Sequence, residues 1–406
     1  MTDPITTLID SPINVELATL LDKNMPTIFP TLSICVIYHG GIVLNNAWGW
    51  IDPDQKTIPI TPSSLFDLAS VTKLFVETTF LTLVSEGKVG LDSKLVDVIP
   101  EFGRINPRSI GGGQDPHTRV HLDIEEQFKG QSVDPTQVTF KHLLTHTSGL
   151  PAWRDVYNRA SDILPNPPTS DSVYEPQRWE NALQALYDYP FVGAIGDTIR
   201  YSDIGILLLG EATARLHGSR LDSAVYERIC QPLGLESVTY NPVLNNVPLE
   251  QIVPTEFDTF WRKRRAWGEV HDENACGIGG IAGHAGLFAT AQDVAQFGQA
   301  WLSGDNHLGI SADVKKLAIK EQASGASRRG LGWMLQTQDD SSAGDLYNMS
   351  SYGHTGFTGT SLWIDPEKDL VSAVLTNRVY PGREVPGIHA FRRAIHDIIV
   401  KGINSL

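Results

Sequence analysis

Apolar positions along the chain recur at two periods, and the places where one gives way to the other mark the elements. Ile13, Leu17, Leu20 and Leu21 fall at helical spacing, and the apolar runs Leu32 to Tyr38 and Ile42 to Trp48 then flank His39-Gly40-Gly41. This predicts a helix followed by a β-hairpin. Val71, Leu74, Phe75, Thr78 and Leu81 repeat every three or four residues, and Gly87 stands where such a helix would stop. Ser70 is therefore expected in the first turn of a long, half-buried helix. Helical patterns return at Arg178 to Tyr189, Asp203 to Leu216 and Leu221 to Cys230, with little strand signal between them. From Gly330 onward the pattern is that of strands: Leu331 to Gln336, Thr360 to Ile364 and Leu370 to Asn377. A last helix carries Ile388, Phe391, Ile395, Ile398 and Ile399 on one face.

Strands at both ends of the chain around a helical middle predict an α/β fold with a mainly antiparallel sheet assembled from the two ends. Residues 1–100 and 280–406 would form the sheet domain, and 101–279 a mostly helical region. Two stretches within that region, Gly103 to Thr136 with its Gly111-Gly112-Gly113 and Leu164 to Pro176, read as surface insertions.

Composition narrows the partners. Lys and Arg number 32 against 47 Asp and Glu, a net charge of −15 that disfavours nucleic acid and anionic lipid. No run of 18 apolar residues occurs, and Met1 to Asn14 lacks the basic start and apolar stretch of an export signal, so a cytoplasmic, non-membrane protein is expected. Cys35, Cys230 and Cys276 are odd in number, far apart and set among apolar or small residues, as suits reduced, buried thiols.

The chemistry begins at Ser70-Val71-Thr72-Lys73, an S-x-x-K that puts a hydroxyl and an amine on one helical face. The same pattern at Ser85-Glu86-Gly87-Lys88 falls at a helix end, where Gly87 spoils the spacing. A serine hydroxyl is a weak nucleophile, and lysine, with a reference pKa of about 10.4, needs help as a base. Tyr201-Ser202-Asp203 is the only Tyr-x-Asn/Asp, and it opens a helical run; a Tyr201 phenolate beside the Lys73 cation would take the Ser70 proton and return it to a leaving group. His354-Thr355-Gly356 also occurs once, before Phe357 and a strand, where small residues let a strand edge approach a substrate. The N–H groups of Phe357 and Ser70 are candidates for an oxyanion hole.

S-x-x-K, Tyr-x-Asn and Lys-Thr-Gly in this order mark the penicillin-binding proteins and class C β-lactamases, and the chain resembles that superfamily. Lys141-His142-Leu143-Leu144-Thr145-His146-Thr147-Ser148-Gly149-Leu150-Pro151 resembles a stretch common in its β-lactamase-related branch, which includes family VIII carboxylesterases and D-aminopeptidase-like hydrolases. The likeness runs from about Ile34 to Val400. It implies a β-lactamase/penicillin-binding-protein-like fold, with Ser70 acylated, Lys73 its partner, Tyr201 the general base and His354 the residue of the third motif. Asp203, Thr355, Gly356 and Phe357 would face substrate. Two positions depart from the pattern: Asp203 stands for the usual Asn, and His354 for the Lys that holds a penicillin carboxylate. Both favour esters or amides without that carboxylate.

The expected activity is thus a serine esterase or amidase acting on a small ester, amide or short peptide through an acyl-enzyme, with no cofactor and no metal. A D-amino-acid peptidase or weak β-lactamase is the enzymatic alternative, and a non-catalytic binding or scaffold relative the other; oligomeric state stays open. Remaining motifs have plainer readings. His142 and His146 lack a third ligand and are expected to pack structurally. Gly277 to Phe288 is expected to be a tight loop near the site, with His284 a minor candidate to face substrate, and Asp272-Glu273-Asn274 a solvated loop. No G-x-S-x-G nucleophile elbow is present.

Overall fold

The computed structural model describes residues 13–404 apart from Pro26, His117, Asp305 and Ala326; most of the Met1–Asn14 reading lies outside the described residues. Helix α1 (Ile13–Asn24) leads into the predicted hairpin, β1 (Leu32–Tyr38) and β2 (Gly41–Trp48). Six further strands come from the other end of the chain: β3 (Ala323–Ser324), β4 (Arg328–Arg329), β5 (Met334–Leu335), β6 (Tyr352–Thr355), β7 (Ser361–Asp365) and β8 (Leu370–Thr376). They form one antiparallel sheet in the order β3-β4-β5-β6-β7-β8-β1-β2. The two ends join where β1 pairs with β8, with Leu32 opposite Thr376 and Tyr38 opposite Leu370.

Alternation along β1 serves two cores. Ile34 and Val36 face a layer of α1 and the last helix, with Leu17, Leu21, Phe391 and Ile395. Cys35 and Ile37 face the main core, with Val294 and Phe297. The helix Ala291–Leu302 that supplies Val294 and Phe297 is absent from the sequence reading, although Thr290 caps it by accepting from the Asp293 N–H at 3.2 Å.

Several expectations need correction. Ser70 lies in a 3₁₀ turn, Ala69–Val71, just before helix α2 (Thr72–Ser85), and that helix is buried on nearly every side because it runs between layers. Positive φ at Gly87 does follow it. Of Leu331 to Gln336 only β5 is strand, while β3, β4 and β6 were too short to show a period. His354 sits on β6 itself, and the strand expected after the motif is β7. The Gly103–Thr136 segment is no loose insertion: Arg108–Ser109 pairs with Ser132–Val133, and Arg108, Ile110 and Phe128 are buried. The three cysteines are buried free thiols, as expected.

Candidate active site

The turn that carries Ser70 is built from below. Buried Asp67 accepts from the main-chain N–H of Ala69 at 2.8 Å and of His271 at 2.6 Å, and Ala69 takes a positive φ of 47°. This bend presents Ser70 half-buried at the mouth of α2. One turn on, the Lys73 ammonium, wholly buried, donates to Ser70 Oγ at 3.0 Å and to the His284 carbonyl at 2.9 Å, and pairs with Asp203 at 2.8 Å. Burial works against that cation, but Asp203 and Tyr201 outweigh burial and hold it above its ordinary range.

Asp203 opens helix α3 (Asp203–His217), and Tyr201 lies just ahead of its cap. Its cap, Ser202, accepts from the Gly205 N–H at 3.0 Å and donates to the Pro151 carbonyl at 2.6 Å. The Thr145–Pro151 stretch clamps this corner: Arg200 N–H donates to the His146 carbonyl at 2.7 Å and Ser202 N–H to His146 Nδ1 at 3.2 Å. His146 packs structurally, as expected, with its ring 4.5 Å from that of Tyr201. His142 serves elsewhere, in a capping box with Thr139. Lys73 Nζ stands 5.0 Å from the Tyr201 ring centre. Burial raises the proton affinity of Tyr201; the Lys73 charge lowers it and Asp203 raises it again, leaving it above the usual range.

The third motif closes the other side. Thr358 and Thr360 donate to the carbonyls of Asp67 and Leu68 at 2.7 and 2.9 Å, stapling the segment after β6 to the Ser70 turn. A Cβ on Gly356 would fall 2.5 Å from the Leu68 carbonyl oxygen, so only glycine allows this approach. Phe357 is half-buried against His271 and beneath Arg378, 4.4 Å away. His354 is buried, and its Nδ1 lies 2.8 Å from the Thr355 carbonyl. Burial, then Arg329 and Lys73, keeps its affinity for a proton well below the ordinary histidine value, so it is a neutral imidazole.

Two other expectations change. His284 meets the site through its carbonyl, its ring being buried on Asp272 at 2.8 Å. Asp272-Glu273-Asn274 is not solvated: Asp272 caps the short helix Glu273–Gly277, and Glu273 and Asn274 are buried. The sequence reading missed Glu77 and Arg329 altogether. Both are buried; Glu77 stands one helical turn after Lys73, a spacing that could have flagged it, whereas Arg329 reaches Tyr201 only through the fold.

Ser70 from the turn before α2, Lys73 from α2, Tyr201 from just ahead of α3, Asp203 from its first turn and His354 from β6 therefore converge. A sequence profile of the beta-lactamase family matches residues 20–396. The chain belongs to the beta-lactamase family. A relative named putative D-alanyl-D-alanine carboxypeptidase, from Escherichia coli K12, is 28% identical over 392 residues, covering 90% of this chain and 83% of its own. Solved structures with the same fold include EstCE1, a hydrolase with promiscuous acyltransferase activity (TM-score 0.66, 17% identity, 95% of this chain and 98% of that one). Another is the simvastatin synthase LovD of Aspergillus terreus, unliganded (0.68, 18%, 98% and 100%). Family membership makes this chain a serine hydrolase of the β-lactamase-related kind, in a β-lactamase/penicillin-binding-protein-like fold. No helix among the described residues is long and apolar enough to cross a membrane.

Proposed function

We propose that the chain is a serine esterase in which Ser70 forms an acyl-enzyme with small, uncharged acyl esters. The observation that carries this is the 3.0 Å contact between Ser70 Oγ and a fully buried Lys73 that is itself fixed by Asp203. Tyr201, once deprotonated beside Lys73, takes the Ser70 proton as Oγ bonds to the carbonyl carbon. The negative oxygen is met by the N–H groups of Ser70 and Phe357. As the bond to the leaving alcohol breaks, that proton passes to the departing oxygen. Water then attacks the acyl carbon and gives a proton to Tyr201, which returns it to Ser70 Oγ as the bond from Oγ to the acyl carbon breaks and the acid is released.

Substrate class turns on His354. A neutral imidazole in place of a lysine gives a penicillin carboxylate no fixed cation there. Esters such as p-nitrophenyl butyrate are expected to be cleaved with much higher kcat/KM than nitrocefin, and a fluorophosphonate is expected to add its mass at Ser70. Ser70→Ala should lose both the adduct and turnover while melting like wild type. Equal turnover by Ser70→Ala would overturn the nucleophile; a higher kcat/KM on nitrocefin would favour a β-lactamase. The E. coli relative's name supports a second reading, a D-alanyl-D-alanine carboxypeptidase. Release of D-alanine from a D-alanyl-D-alanine peptide faster than ester cleavage would select it.

A further inference from the structure

Glu77 follows Lys73 by one helical turn on α2, so both lie on the same face. Its side chain is 2% exposed, and neither carboxyl oxygen has a hydrogen-bond partner among the described residues. Space for it is kept by Gly332, at φ +82°, where a Cβ would fall 2.7 Å from the carboxyl carbon. Arg329, on β4, is buried as well: its guanidinium lies 5.3 Å from the Tyr201 ring centre, its Nε meets Ser327 Oγ at 3.3 Å, and one terminal nitrogen has no partner among the described residues. Burying two unsatisfied ionisable groups is costly, and apolar side chains of similar size would make a more stable core. Their place beside the site argues for use.

The surroundings of Tyr201 define that use. Lys73 comes from α2, Arg329 from β4, His146 from the Thr145–Pro151 stretch and His354 from β6, while Asp203 stands two positions after Tyr201 in the chain. His146 and His354 are both neutral, through burial and the nearby cations Arg329 and Lys73. Two cations thus flank the phenol: Lys73 pairs with Asp203, while Glu77 pairs with neither cation and its charge acts on both Lys73 and Arg329. We propose that Arg329 is a positioning residue that stabilises the Tyr201 phenolate, and that Glu77 controls it, leaving Arg329 fully effective when protonated and opposing it when ionised. The inference rests on the reading of Tyr201 as the base for Ser70.

Burial pushes the Glu77 carboxyl up to about 8 against the pull of Lys73 and Arg329, so its ionisation falls inside the working range of a hydrolase. Loss of the Glu77 proton and loss of the Tyr201 proton then oppose each other, and the acid limb of kcat/KM rises less steeply than a single ionisation would.

The experiment is kcat/KM for p-nitrophenyl butyrate from about pH 5 to about pH 10 in wild type, Arg329→Gln, Arg329→Lys and Glu77→Gln, each also labelled with a fluorophosphonate. Arg329→Gln should move the acid limb up by about one pH unit or more, and Arg329→Lys should bring it most of the way back. Glu77→Gln should coincide with wild type below about pH 8 and climb more steeply above it. An unmoved limb in a folded, Ser70-labelled Arg329→Gln would overturn the inference alone. If that variant does not fold, superposed Glu77→Gln and wild-type profiles up to about pH 10 would overturn it equally. No Ser70 adduct in wild type would remove the nucleophile reading and this inference with it.

Discussion

Asp203 is one carboxylate where the superfamily motif has an amide, and the difference changes where protons rest. Its oxygen lies 2.8 Å from Lys73 Nζ, and its charge raises the proton affinity of both Lys73 and Tyr201. A hydrolase whose base holds its proton above neutrality is slow at pH 7 and quickens as pH rises. Asp203→Asn removes the charge and keeps the shape. It is expected to shift the acid limb of kcat/KM down by about one unit and to raise activity near pH 7. A limb that stays in place would mean that neither proton depends on Asp203. The motif residues themselves were legible in the sequence because their chemistry is local: three positions separate Ser70 from Lys73, and two separate Tyr201 from Asp203. Arg329 was not, because its meaning comes only from what the fold puts against it.

At the scale of elements, the approach of the segment after β6 to the Ser70 turn depends on contacts between main chains. Gly356 packs on Leu68 and Ala69, with Thr358 and Thr360, just after it, bonded to the carbonyls of Asp67 and Leu68. In Gly356→Ala the new Cβ, also 3.3 Å from that of Ala69, forces the two segments apart and spoils the paired N–H groups. Kcat is expected to fall about 100-fold or more, the usual cost of one lost oxyanion donor, with KM changing far less. A kcat within a few fold of wild type would show that the approach is not needed. Elements with long periodic runs, such as β1, β2, β8 and α3, could be read in advance. The two-residue strands β3, β4 and β5 could not, since pairing in the sheet defines them and no repeat of their own does. Helix α2 misled in another way: buried all round, it shows no polar face from which to judge its depth.

For the whole molecule, buried ionisable groups set the response to pH. His146 and His354 are held well below the ordinary histidine value, chiefly by burial, and His396, between Ser361 and Ser372, is lowered to about 3. Above about pH 6.5 these imidazoles are neutral in folded and unfolded chains alike. Below it the unfolded chain binds protons that the fold refuses, so stability falls as pH falls, by roughly 1 kcal/mol per histidine per unit. Glu77 works the other way, since its folded-state affinity is raised and the unfolded chain ionises first as pH climbs from about 4.5. His142 and His217 are lowered too, and Asp67 and Asp293 are raised like Glu77; five histidines outweigh three carboxyls, and the melting temperature is expected to drop between about pH 7 and about pH 5. A melting temperature that holds level across that range would exclude this account.

The pairing of β1 with β8 joins residues about 340 positions apart, one strand in from the edge of the sheet. On the ribosome, at roughly 5–20 residues per second, the first of these strands waits some tens of seconds for its neighbour. Until then the Leu32–Tyr38 segment, LSICVIY, has only β2 to cover one edge, and its apolar faces lie open to other chains. A topology dominated by such distant contacts folds slowly and is exposed to aggregation while it does so. Yield of the folded protein is therefore a race between translation and self-association, won more readily at low temperature and low chain concentration.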